Sequence, residues 1–181
     1  MFPVLKTERL ILRELTEYDA KVIFSILSNP QVTRFYGKET FKKIEEANEF
    51  INYFKQKFNE KRGFRWCIEI KDSEQLVGTV GLDAWVPKQR RAEIGYELHP
   101  EFWNNGYATE AVSKIISFGF DSLELIRIGA IVFPENEPSN KLLQKIGFQK
   151  EGILRNYIYQ DGVSNDTYVY SIINKDYKQS Y

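Results

Sequence analysis

One stretch constrains the fold more than any other. In residues 91–121, RAEIGYELHPEFWNNGYATEAVSKIISFGFD, a hydrophobic period of two gives way to a period of 3.6 within a few residues. From Arg91 to Leu98, apolar side chains recur at Ile94, Tyr96 and Leu98, the alternation of a strand with one buried face. His99-Pro100 stops the ladder, because proline has no N–H to donate and restrains the residue before it. From Gly106 onward, Ala108, Ala111, Val112, Ile115, Ile116 and Gly119 fall on one helical stripe, carrying the helix to Asp121. The turn between them, Trp103-Asn104-Asn105-Gly106-Tyr107-Ala108, opens a helix. Such a turn presents unpaired N–H groups and the positive end of the helix dipole, which suits an anion and most often a phosphate.

The rest of the chain supplies partners for this unit. Thr7–Leu15 reads as a strand. Thr16 then caps a helix that runs to about Ser28 and stops at Asn29-Pro30, with Val22, Ile23, Ile26 and Leu27 inward. A second helix spans Ile44–Asn59, with Ala47, Phe50, Ile51, Phe54 and Phe58 on one face. Gln31–Phe41 between them is an aromatic-bearing loop that either lines a pocket or packs its rings inward. Phe64–Ile70 and Gln75–Ala84 form a hairpin about Asp72-Ser73-Glu74; Gly78 and Gly81 in its second strand imply a bulge or a close approach by another group. Trp85–Arg90 is a loop. After the long helix come a strand at Ile126–Val132, a turn at 134–138 and a short helix, Ser139–Ile146, closed by Gly147. Strands at Phe148–Ile158 and Tyr168–Ile173 flank the hairpin signal Asp161-Gly162, and the terminal NKDYKQSY reads as frayed. The order β-α-α-β-β-β-α-β-α-β-β places the chain in the α+β class, as one domain over residues 1–181 with a mostly antiparallel sheet.

Composition narrows the function. With 25 basic and 25 acidic residues the net charge is zero, so bulk electrostatics offers nothing to nucleic acid. The single cysteine, Cys67, rules out an internal disulfide and a cysteine-based metal site, and its strand-like surroundings (FRWCIEI) suit a buried structural thiol. MFPVLKTERL is too charged for a signal peptide, and no run approaches the roughly 18 apolar residues of a membrane span, so a cytoplasmic protein is expected. There is no P-loop, no G-x-G-x-x-G and no His/Cys/Asp cluster for a catalytic metal.

Several segments together resemble a known family. TERLILRE (7–14), VGTVGL (77–82), AEIGYEL (92–98), GYATEA (106–111), Asn136 with Ser139, IGF (146–148) and EGILRN (151–156) are similar, in order and spacing, to the GNAT superfamily of acyl-CoA-dependent N-acetyltransferases. Within it they most resemble the RimJ/RimL branch, the ribosomal-protein N-terminal acetyltransferases and their relatives. The resemblance runs from about residue 3 to about residue 175. It implies the GNAT fold, a mixed, mostly antiparallel central sheet flanked by helices on both faces.

The same resemblance assigns roles. Backbone N–H groups of the turn Trp103, Asn104, Asn105, Gly106, Tyr107 and Ala108, with Thr109 in the first helical turn, would hold the pyrophosphate of coenzyme A. The family signature Gln/Arg-x-x-Gly-x-Gly/Ala is met here with Trp103 at its usual Gln/Arg position, so the turn lacks a basic side chain; Lys141 or Lys145 could compensate. Leu98 would pair with the pantetheine amides and supply an oxyanion donor, and Asn136 would contact the pantetheine arm. Ser139, otherwise an N-cap hydroxyl, would donate to the departing sulfur. Glu93 is the first candidate base, against a salt-bridged strand Glu paired to Arg90 or Arg91, with Glu97 the weaker alternative; His99 reads as a turn residue. The implied activity is direct acetyl transfer from acetyl-CoA, in a ternary complex and without a metal, to a primary amine. A protein N-terminal α-amine leads. A small amine (polyamine, amino acid or aminoglycoside) is the rival, favoured if Glu39, Glu45 and Glu46 make an acidic acceptor channel. A non-catalytic acyl-CoA sensor is the third reading, and a homodimer is possible in the sense that exposed strand or aromatic surface is available.

Overall fold

The strand periodicities resolve into one eight-stranded sheet of order β1-β2-β3-β4-β5-β6-β8-β7 in the computed structural model, which describes residues 1–179. The elements in chain order are β1 (Leu5–Lys6), β2 (Leu10–Glu14), α1 (Ala20–Leu27), α2 (Pro30–Thr33), α3 (Ile44–Asn59), β3 (Phe64–Ile70), β4 (Gln75–Val86), β5 (Arg91–Leu98), α4 (Tyr107–Asp121), β6 (Arg127–Val132), α5 (Glu137–Ile146), β7 (Gln149–Gln160), β8 (Val163–Ile173) and α6 (Asn174–Gln179). Every neighbouring pair is antiparallel except β5 with β6. Parallel strands need a long crossover, and α4 is that crossover.

Both faces of the sheet are covered, as strand alternation requires. On one face Trp66, Val80, Leu82, Ala92 and Ile94 pack against the α4 stripe of Ala111, Val112, Ile115 and Ile116. On the other, Leu15 and Cys67 meet Ile23, Ile26 and Leu27 of α1 and Ala47, Phe50, Ile51 and Phe54 of α3. The GNAT-type mixed sheet between helical layers is therefore present, and the buried thiol sits where the sequence put it.

The feature that positions the site is a parting of strands. β5 and β6 pair only through Arg91–Arg127, Ala92–Ile128 and Glu93–Gly129. Beyond Glu93, β5 continues along β4 as far as Leu98, while β6 continues along β8, so a V opens between them.

Several sequence expectations need correction. The two-residue edge strand β1 is too short to carry a period. Thr16 begins a 3-10 turn over Glu17–Asp19, not the α-helix itself, although the Thr16/Asp19 capping box forms, with Asp19 Oδ2 accepting the Thr16 N–H at 2.8 Å. The expected loop after α1 contains α2, capped by Asn29 with Pro30 at its first position. β4 runs two residues past Ala84, and β7 and β8 extend to the Asp161-Gly162 turn. α5 starts at Glu137 with Asn136 as its cap, so Ser139 is not the N-cap residue. Residues 174–179 are helical, not frayed, held in part by Tyr177 against the Phe120 ring at 5.2 Å; Ser180 and Tyr181 lie outside the described residues. Gly78 answers its expected close approach: a Cβ there would collide with the Glu97 carbonyl, and the β3–β4 register shifts beside it.

Candidate active site

The turn before α4 gathers backbone donors that the fold leaves unpaired. Asn104 and Gly106 adopt left-handed backbone (φ 62° and 79°), and Gly106 caps the helix. This swings the chain so that the N–H groups of Asn104, Asn105, Gly106, Tyr107, Ala108 and Thr109 make no hydrogen bond among the described residues. Trp103 differs. Its N–H donates to Pro100 O at 3.1 Å and its indole Nε1–H to Leu98 O at 2.9 Å, so it braces the turn instead of offering a free donor.

A basic side chain that sequence reasoning missed stands beside this turn. Arg9, between β1 and β2, donates from Nη1 to Asn105 O at 2.9 Å and lies over the Tyr107 ring at 4.7 Å. Its Nε donates to Glu110 Oε2 at 2.7 Å, its N–H to Glu110 Oε1 at 2.8 Å, and the Thr7 hydroxyl donates to the same Oε1 at 2.5 Å. Burial alone would raise the Glu110 carboxyl, but Thr7 and Arg9 hold it below its ordinary value. The segments TERL and GYATEA, about 100 residues apart, are thus two halves of one clamp on the start of α4. Their joint presence was the available signal. Lys141 instead pairs with Glu137 of its own helix at 3.1 Å.

The gap between β5 and β6 opens into a cleft of about 430 Å³, within the range of small-molecule sites. His99 N–H donates to Val77 O, so by antiparallel alternation the peptide groups of Leu98 and Tyr96 face away from β4 and into the gap. The Leu98 carbonyl is taken by Trp103, which leaves the Leu98 N–H. On the α5 side the cleft is lined by Tyr96, Asn136, Ser139 and Leu143. Asn136 Oδ1 accepts the Ser139 N–H at 3.4 Å as the helix cap. Tyr96 Oη is buried without a hydrogen-bond partner, which is costly unless a ligand satisfies it. Burial pushes the Tyr96 phenol up to about 12, with the nearby Ser139 hydroxyl opposing. It therefore stays protonated, a donor aimed at the cleft. The sequence read Tyr96 only as a core-facing strand residue.

The opposite side is lined by Tyr36, Lys38, Tyr53, Lys57, Arg65 and Asp83. Beneath it Arg65, with a 3% exposed side chain, donates from Nε to Thr79 Oγ1 at 2.6 Å, from Nη1 to Gly95 O at 3.2 Å, and from Nη2 to Glu97. Burial pushes the Glu97 carboxyl up, and Arg65 and Thr79 oppose it. Glu97 is consequently a structural partner of Arg65. Asp83 is the sole carboxylate of the lining among the described residues; Lys57 Nζ sits 2.7 Å from it and Arg65 Nη1 3.8 Å. Glu93 is not brought to the lining. It lies at the closed end of the V, opposite Asp83 and Gly129, and faces Arg127, whose guanidinium is held charged by Glu151 first and Glu93 less. Glu46 is spent as the cap of α3, accepting the N–H groups of Lys42 and Lys43. His99 accepts the Glu101 N–H at 3.4 Å and caps a 3-10 turn.

Known proteins resemble the chain in sequence and in fold. A family model described as "Acetyltransferase (GNAT) domain" matches residues 9–149. The "Uncharacterized N-acetyltransferase YoaA" of Bacillus subtilis (strain 168) is 56% identical over 173 residues, covering 96% of this chain and 98% of its own. The "Spermidine N(1)-acetyltransferase" of Escherichia coli (strain K12) is 28% identical over 151 residues, 83% of this chain and 78% of its own. Among solved structures, a putative ribosomal-protein-serine acetyltransferase from Vibrio cholerae superposes with a TM-score of 0.82 at 26% identity, over 96% of this chain and 99% of its own. The chain belongs to the GNAT acetyltransferase family. It is an acetyl-CoA-dependent N-acetyltransferase. Among the described residues no cluster of metal-ligating side chains occurs, and no helix is long and apolar enough to cross a membrane.

Proposed function

We propose that the acceptor is a protein N-terminal α-amine, as in the RimJ/RimL branch, and that the chain's own residues contribute positioning and hydrogen-bond donation more than basicity. One observation carries this reading: the only carboxylate lining the cleft among the described residues, Asp83, is already held by Lys57 and Arg65. No lining side chain is free to deprotonate a strongly basic amine. An α-amine has a pKa of about 7.7–8.0, so about one molecule in seven is already neutral at pH 7. An amine near pKa 10.4, such as a lysine side chain, is neutral only about once in 2,500. The cleft therefore suits the amine that needs least help.

Acetyl-CoA, when bound, supplies an activated acyl group. The six unpaired N–H groups from Asn104 to Thr109 fit its pyrophosphate, with Arg9 behind them in the role of the missing basic side chain. The free N–H of Leu98 is suited to a developing oxyanion. Tyr96 and Ser139 are suited to the departing sulfur; a thiol pKa of about 8.5 means that hydrogen bonding suffices and full protonation is unnecessary. Glu93, off the lining, is left to steady β6 through Arg127.

The test is thiol release from acetyl-CoA at pH 7.0 with short peptides bearing free N-termini, with spermidine, and with Nα-acetyl-lysine. Peptides should show the highest kcat/KM. Preference for spermidine, the named substrate of one relative, would overturn the proposal.

A further inference from the structure

On the acceptor side of the cleft, charges pair off with one left over. Arg65 is matched by Glu97 and Lys57 by Asp83. Lys38 lines the same cleft and makes no ion pair among the described residues. Lys38 and Lys57 moreover share one aromatic ring. Their Nζ atoms lie 5.3 and 4.9 Å from the centroid of Tyr53, itself 42% exposed. Cation–π attraction holds each ammonium near the ring; Lys57 has Asp83 as its counter-ion there, so Lys38 is the cation left to attract an anion.

The backbone that presents Lys38 is fixed from outside the cleft. Gln160, 7% exposed at the end of β7, accepts the Gly37 N–H at 2.8 Å and donates to Thr33 O at 2.9 Å. The hydroxyls of Thr33 and Thr40 close the loop's base at 2.6 Å. Gly37 takes φ of 80°, with the Ile158 side chain 3.5 Å from where a Cβ would stand. The lysine's head is in solvent, but its loop is tied at both ends to one position over the cleft.

We infer that this side of the cleft selects acceptors by charge: Lys38, with Lys57 and Tyr53 beside it, reads a side-chain carboxylate at the second or third residue of the acceptor, counting the acetylated residue as the first. The inference rests on the N-terminal reading above. It deepens that reading by naming the acceptor class, an N-terminal segment with an early Asp or Glu. The surplus cation would equally disfavour a polycationic acceptor.

The experiment compares kcat/KM for peptides that differ only in Asp, Ala or Lys at the second position, and again at the third. The panel also includes spermidine, and is run at about 0.05 M and about 0.5 M ionic strength. An exposed charge pair predicts an advantage of Asp over Lys of about fivefold at low salt, shrinking at high salt. Lys38→Glu should invert or abolish that ratio and Lys38→Ala should reduce it, with a coenzyme A-induced rise in melting temperature confirming that each variant is folded. Equal kcat/KM across the peptides within twofold, or a ratio unchanged in both variants, overturns the inference while leaving the N-terminal reading intact. Turnover of spermidine with no peptide turned over sinks both.

Discussion

The buried pair under the cleft allows a quantitative test. In Arg65→Met, the guanidinium that bonds Glu97, Thr79 and the Gly95 carbonyl is replaced by an apolar chain of comparable reach. Glu97, with a side chain 4% exposed, is left inside without its cation. Removing one member of a buried ion pair costs about 3–5 kcal/mol, because the remaining charge must be kept desolvated or neutralised. For a chain of this size 1 kcal/mol corresponds to about 2–4 °C, so the melting temperature should fall by roughly 6–20 °C. The sign of the pH dependence follows from the carboxyl. Burial already raises the Glu97 pKa in the folded state, and losing Arg65 raises it further. A raised acid stabilises the fold least above its folded pKa, so the deficit should be larger at pH 7.5 than at pH 5. Replacing both partners, Arg65→Met with Glu97→Leu, removes the stranded charge and should recover most of the loss. Calorimetric melts of the parent, both single variants and the double variant at the two pH values decide it. A single variant that melts within about 2 °C of the parent, or a double variant no better than Arg65→Met, would refute the reasoning.

Other changes separate stability from function. Tyr96→Phe removes a buried hydroxyl that lacks a partner; the melting temperature should rise by a few degrees while kcat falls about tenfold, and a rise without loss of kcat would show that the hydroxyl has no part in turnover. Glu110→Gln weakens the clamp made with Thr7 and Arg9; coenzyme A affinity measured by calorimetry should drop several-fold. Because the Glu110 carboxyl is held below its ordinary value, its stabilising contribution is present above about pH 4.5 and fades as pH falls, so parent and variant melts should converge in acid. Glu93→Gln should leave kcat within about threefold at pH 7.0; a fall of 10²-fold or more would make Glu93 a general base after all.

Much of the proposed phosphate seat is legible in the sequence, because an unpaired helix start is a local property. Gly106 caps the helix that the Ala108–Gly119 stripe predicts, and the first-turn N–H groups of such a helix have no intrahelical partner wherever it sits. The charged side of the cleft was far less legible. Glu93, Glu97 and Asp83 are all strand carboxylates, and nothing in their neighbours in the chain tells which one lines a cleft, which is buried against an arginine and which sits where two strands still pair. That depends on where β5 and β6 part, which rests on their pairings with β4 and β8. The basic side chain beside the turn likewise comes from about 100 residues upstream, at Arg9.

The sequence alone determined the periodicities, hence the order of strands and helices, the helix start that suits a phosphate, and the absence of a disulfide framework. Each of these is set by residues within a turn or two of one another, or by composition. Tertiary structure decided which charges neutralise each other, which donors stay unpaired and which way the cleft faces. Those depend on through-space distances of a few ångströms between distant segments, and Coulomb and hydrogen-bond energies respond to that separation with no regard to position along the chain.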